Sequence, residues 1–320
     1  MSDLNDQINF KVSRDFGETF NISIKFLRQN FRSFFVCLLL VAGPFILLYS
    51  FTSAHYQSVI MHKTALVQAG RLYNINIYNL EYFMSLLAQF ISLLSLMCTT
   101  YSYMLVSSEK GAGNVTVKEV IKKLNEHLVK IAGGFFLFFV LTVIIVVAIT
   151  FLVGMIVSSL PVLGVFLVLG LFVALLLLGP NILWQLNTSF LVILAENEMP
   201  FFAYGRTREL MKGNYWWTWL IIVCNVFLIS FLSLLFLLPT GIYSLIKIYT
   251  PSTGVVEETS MIYIIILATC SFLATAVYSI FYIISGFHYF SLTENKDGAG
   301  LMERINEIGK APKINTEQQF

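Results

Sequence analysis

Between Ile131 and Ala195 the chain runs for 65 residues without a single Asp, Glu, Lys or Arg. A soluble fold places charges on the surface it shows to water, and so long a gap leaves no such surface. As one helix the stretch would measure ~98 Å at ~1.5 Å per residue, against a hydrocarbon core of ~30 Å. It therefore reads as two membrane crossings joined by a turn. The turn is expected at Ser158-Ser159-Leu160-Pro161, where a polar pair and a proline supply the break.

The rest of the chain agrees. Only 12% of its 320 residues are charged, about half the share usual in soluble domains. Charge-poor blocks predict spans at about 33–53, 83–107, 132–157, 162–182, 216–239 and 261–288. The fourth helix is expected to run on through Gly179-Pro180 to about Ala195, with a kink or restart at the proline. Residues 1–309 read as one integral membrane domain and 310–320 as a disordered cytoplasmic tail. More than thirty polar and charged residues precede the first apolar block, so that block reads as an anchor and not as a signal peptide.

Of the 20 Lys and Arg, 17 fall on the side that would hold both termini; Lys63, Arg71 and Lys247 are the other three. The positive-inside rule then makes both termini cytoplasmic. Tyr215, Trp216, Trp217 and Trp219 open the fifth span and read as an interfacial aromatic belt.

Three segments on the cytoplasmic side lead directly into spans. The first places Phe16, Phe20, Ile24, Leu27 and Phe31 on one helical stripe, and the second does the same with Val117, Ile121, Leu124, Leu128 and Ile131. Asp15 with Glu18, and Thr116 with Glu119, have capping-box spacing. The third, from Pro200 to Lys212, has a weaker stripe, with Pro200 suited to a first turn and Gly213 to a helix end. The expected fold is all-α: a polytopic membrane helix bundle of six transmembrane helices with about three cytoplasmic interfacial amphipathic helices.

Within the third segment, Glu196, Ala203, Arg206, Leu210, Lys212-Gly213 and Trp216 resemble a motif of the glycerophosphodiester phosphodiesterase membrane-domain family, multi-span bacterial membrane proteins. The likeness covers about 25 residues and elsewhere is one of hydropathy only. It implies the membrane fold and a bacterial inner membrane. It implies no activity, because the phosphodiesterase barrel fused to some members has no room in this chain.

Chemistry-bearing patterns are sparse. The spans hold no acidic or basic side chain, and only His288, near the end of the sixth, can take up a proton in the physiological range. That weighs against proton-coupled pumping and voltage sensing. His55 and His62 lie seven apart without an evident third ligand, and His127 reads as solvated at headgroup level. Cys37, Cys98, Cys224 and Cys270 sit singly in apolar runs, away from metal-ligand spacing. No catalytic residue, cofactor or metal is assigned, and the net charge of +2 gives no nucleic-acid signature.

Two groups remain as candidates. Asn181, Gln185, Asn187 and Thr188 form the most polar intramembrane cluster; the spacing of Asn181, Gln185 and Thr188 puts these three on one face. It reads either as interhelical hydrogen bonding or as a polar cavity, with Gln89, Ser92, Ser95, Thr99 and Asn225 as possible partners. Arg206, Arg208 and Lys212 are candidate contacts for lipid headgroups. The expected function is that of a non-enzymatic inner-membrane scaffold or lipid-organising component. The alternative is a transporter or exporter of an apolar or amphipathic small molecule through a polar face on the fourth helix, that of Asn181 and Gln185. Expected partners are membrane lipids, with a membrane-protein partner or a second copy of the chain also open.

Overall fold

Asp15 starts the first helix with a reciprocal cap. Its carboxylate accepts from the Glu18 N–H at 2.8 Å, while Glu18 Oε2 accepts from the Asp15 N–H at 3.2 Å. The computed structural model describes residues 8–68, 76–111, 113–159, 161–249, 261–298 and 302. Helix α1 (Phe16–Cys37) passes through a π-helical turn at Leu38–Ala42 into α2 (Gly43–Gln68). Pro44, just beyond that turn, has no N–H for the Leu40 carbonyl, and its ring crowds the preceding turn. The wider π turn absorbs this misfit without ending the helix.

There follow α3 (Leu80–Lys110), α4 (Val117–Ser159), α5 (Pro161–Glu196), α6 (Pro200–Met211), α7 (Tyr215–Tyr249), α8 (Met261–Ala276) and α9 (Tyr278–Asp297). With α1–α2 and α8–α9 each counted as one interrupted rod, six rods are long and apolar enough to cross a membrane. Among the described residues there is no strand.

The rods overrun the expected spans. Helix α2 takes up much of what reads as the first external loop, and α7 continues through Pro239 to Tyr249 where the sequence predicts a loop. The sixth rod breaks at Val277, which no Pro or Gly marks. Leu160 of the expected turn, residues 250–260 of the loop between the fifth and sixth spans, and the expected tail 310–320 lie outside the described residues.

Charged side chains gather at one end of the bundle. Lys110 meets Glu119 at 2.6 Å, and Lys130 donates to Asn197 Oδ1 at 2.7 Å. The main core lies toward this charged end, around Phe26, Tyr103, Trp184, Leu191, Ile222 and Phe287. Toward the opposite end a smaller cluster of Ala54, Tyr263, Leu267 and Ala268 joins α2 to α8.

Helix α1 contacts three helices in turn: Phe16 meets Trp217 of α7, Phe26 meets Phe287 of α9, and Phe34 meets Tyr103 of α3. It therefore crosses the ends of all three. Its buried stripe is Thr19, Ser23, Phe26, Asn30 and Phe34, offset from the apolar stripe read in the sequence. Phe20 and Leu27 are half-buried against the core, and Ile24 and Phe31 are exposed. Likewise the second amphipathic segment is no separate helix but the first turns of α4, with Leu124 half-buried against the core.

Helices α4 and α5 form a hairpin that stands apart. None of the most apolar 18-residue window of α4 is buried, against 44% in α3. Near its tip the two helices touch at Gly164, where a Cβ would lie 2.8 Å from Val157 Cα. After α5 the chain turns at Asn197 and folds back, so that α6 runs along α5 and brings Met211 level with Gln185.

Candidate functional site

Pro180 governs the local geometry of α5. The helix continues through it without a break, and the proline leaves the Leu176 carbonyl without its usual N–H. Trp219 Nε1 donates to that carbonyl at 3.0 Å, and Tyr215 OH donates to the neighbouring Leu177 carbonyl at 3.0 Å. Two members of the expected aromatic belt therefore mend the backbone of α5. The sequence gives no sign of this, because the partners lie some forty residues apart.

Below the proline the predicted polar cluster divides. Asn181, Trp184, Gln185 and Thr188 face inward. Asn181 is 1% exposed, and neither its Oδ1 nor its Nδ2 has a partner among the described residues. Gln185 Nε2 points at Met211 Sδ at 3.5 Å, and Thr188 faces Tyr101 of α3 without a well-formed bond. Trp184 lies against His288 of α9 with ring centroids 5.4 Å apart, and His288 Nε2 pairs with Thr218 Oγ1 of α7 at 3.0 Å. Asn225 donates to the Phe281 carbonyl at 3.0 Å. None of the partners suggested by the sequence hydrogen-bonds to the α5 side chains: Ser92 bonds Gln89 O on its own helix, and Thr99 Oγ1 has no partner. His288, Thr218 and Tyr101 supply the cross-helix contacts, and only the first stood out in the sequence.

Asn187 points the other way. Its Nδ2 donates to Leu183 O at 2.7 Å, and the residue lines a cleft of about 920 Å³ between the α4–α5 hairpin and helices α3, α7 and α9. That volume is at the upper end of the range of about 300–1,000 Å³ usual for ligand pockets. The walls are aromatic and aliphatic, represented by Phe90, Leu93, Phe138, Phe139 and Phe281. Asn187, Thr142, Ser230 and a few tyrosines are the polar exceptions, and among the described residues no charged side chain lines it. At the rim Phe83, Val143 and Val147 are exposed. The floor lies toward the charged end, where Phe138 packs edge-on against Phe190 and beside Tyr204 of α6.

The candidate headgroup cations also part company. Arg206 is ion-paired, with Nε 3.2 Å from Glu196 Oε2 and a second nitrogen on Asp297. Burial works against its charge, but the bonds to Asp297 and Glu196 outweigh this and hold its pKa above the usual arginine value. Tyr289 OH adds a bond to Glu196 Oε1 at 2.7 Å, so the ends of α5, α6 and α9 are tied together. Arg208 and Lys212 are exposed. Other residues of the resembling motif build the same corner: Ala203 and Leu210 are fully buried, and Gly213 takes φ +88° in the turn into α7.

His127 departs from expectation. It is buried, because its face of α4 turns toward the corner at Asn197. Desolvation, then the charges of Lys123 and Lys130, push its pKa below the ordinary histidine value; the charge of Glu126 and a bond to Asn197 act in the other direction.

Fold and cleft define the class: an all-α protein with six rods of membrane-spanning length and apolarity. Comparison with family models, with curated proteins and with solved structures finds no match to this chain.

Proposed function

We propose that the protein is a non-enzymatic, multi-pass inner-membrane protein that holds a lipid in the α4–α5 cleft and so organises the bilayer around it. The observation that carries this reading is the cleft itself: about 920 Å³ of apolar, uncharged space between rods of spanning length. Charge distribution supports placing the charged end in the cytoplasm, since 17 of 20 Lys and Arg belong to it in the six-span reading. On that placement α1, the first turns of α4, and α6 lie at headgroup level, with Arg208 and Lys212 free to meet anionic lipid. The likeness to the glycerophosphodiester phosphodiesterase membrane-domain family favours the same setting.

The export alternative draws less support. A polar route would join Asn187 to Asn181 and Gln185, and these stand on opposite faces of α5. The test is a cleft-filling variant. Purified wild-type protein should carry a lipid mass in its native mass spectrum that Leu93→Trp loses while keeping its helical content. A wild-type protein that emerges free of lipid under mild extraction overturns the reading.

A further inference from the structure

Building on the lipid-holding reading, we infer that the occupant is a diacyl lipid with an ammonium headgroup, its chains in the cleft and its head among Tyr56, Tyr78 and Tyr82. The dimensions suit such chains. Along α3 the lining runs from Tyr82 to Met97, a span of ~22 Å at ~1.5 Å per residue, long enough to take chains that cross one leaflet, ~15 Å of a bilayer core of ~30 Å. The volume of about 920 Å³ holds about thirty methylene-sized units at ~30 Å³ each, the space one water molecule takes in the liquid. Two chains of one lipid fill it, and a single chain leaves about half empty.

The chains point toward the charged end because the floor there is closed by Phe138, Phe190 and Tyr204. At the other end the cleft opens among tyrosines. Tyr82 lies 5.7 Å from Tyr56, 5.5 Å from Tyr78 at 86°, and 5.4 Å from Phe83, centroid to centroid. Rings so differently tilted present several π faces to one small volume. An ammonium group is attracted to such faces within about 6 Å of a ring centre.

Charge argues for the same head. Among the described residues no Lys, Arg or His lines the cleft, so an anionic head finds no counter-charge in these walls. Glu81 stands beside Tyr82 in the first turn of α3, and Lys63 is seven residues beyond Tyr56, ~10 Å along the helix axis. At the opposite end Arg206, Lys130 and Lys296 are engaged by Glu196 and Asp297, by Asn197, and by the Glu209 carbonyl.

The test uses delipidated full-length protein in detergent, titrated with equimolar phosphatidylethanolamine and phosphatidylglycerol of identical chains and read by native mass spectrometry. The ethanolamine lipid should occupy the protein about tenfold more, a preference between those of an exposed and a desolvated cation–π contact. Tyr82→Leu and Glu81→Gln should each narrow that preference without abolishing lipid binding, and Tyr82→Phe, which keeps the ring, should preserve it. Equal or greater occupancy by phosphatidylglycerol overturns the headgroup assignment and leaves the lipid-holding reading standing. If neither lipid binds the wild-type protein, both fall.

Discussion

At the scale of single residues, Pro180 removes one backbone bond from α5, and two aromatic side chains of α7 occupy the carbonyls it disturbs. In an apolar surrounding a carbonyl without a partner is costly, whichever group last satisfied it. Trp219→Phe keeps the ring and loses the donor, so it should lower stability by about 0.6–2 kcal/mol. In a Pro180→Ala background the restored N–H serves Leu176, and the same substitution should cost much less. Thermal unfolding of the four proteins in detergent gives the coupling; additive effects would mean that the indole bond is idle. His127 provides a second residue-scale prediction. Its pKa is depressed in the folded protein, so the unfolded chain binds the proton more readily. The stability it contributes is therefore complete above its ordinary value of about 6.5 and is lost as pH falls through the lower, folded value. Melting temperatures measured from neutral to mildly acid pH should decline in wild type and decline less in His127→Phe. Parallel curves would remove His127 from the account.

At the scale of elements, α1 shows how far a sequence pattern reaches. The apolar stripe of Phe16, Phe20, Ile24, Leu27 and Phe31 is evident in the sequence, yet the inward stripe contains Thr19, Ser23 and Asn30. These are small enough for close packing, and each satisfies itself on the carbonyl four residues back, at 2.7, 2.7 and 3.0 Å. Hydropathy scores them as polar and turns them outward; these backbone bonds, with Tyr103 OH and the Gly113 N–H donating to Asn30 Oδ1, remove the cost of burial. The spacing of Asn181, Gln185 and Thr188 was legible for the opposite reason, since polar side chains in an apolar run stand out. What they face depends on α3, α6 and α9, which sequence spacing alone does not place. The hairpin adds a prediction at this scale. Gly164 sits where a Cβ would meet Val157 backbone at 2.8 Å, so Gly164→Val should part α4 from α5 and destabilise by about 1–3 kcal/mol. Gly154→Val, at a position with open space, should leave the melting temperature nearly unchanged. Equal losses at the two sites would contradict the close approach.

At the scale of the whole molecule, the number of rods was legible because lipid leaves so blunt a mark on composition. The cleft was not, because it is made by a hairpin standing away from its neighbours, and neither wall contains a residue type that announces it. The same separation leaves the most apolar windows of α4 and α5 almost unburied, 0% and 6%, as a helix pair surrounded by hydrocarbon can be. The account rests on the charged end facing the cytoplasm and the tyrosine mouth facing out. The direct measurement is labelling of intact cells with a membrane-impermeant maleimide, on a chain whose four native cysteines are replaced and which carries one new cysteine at either Lys118 or Tyr78, both exposed. The account predicts that Tyr78→Cys reacts in intact cells and Lys118→Cys only after the membrane is opened. The reverse pattern, or equal reaction of both in intact cells, would contradict it.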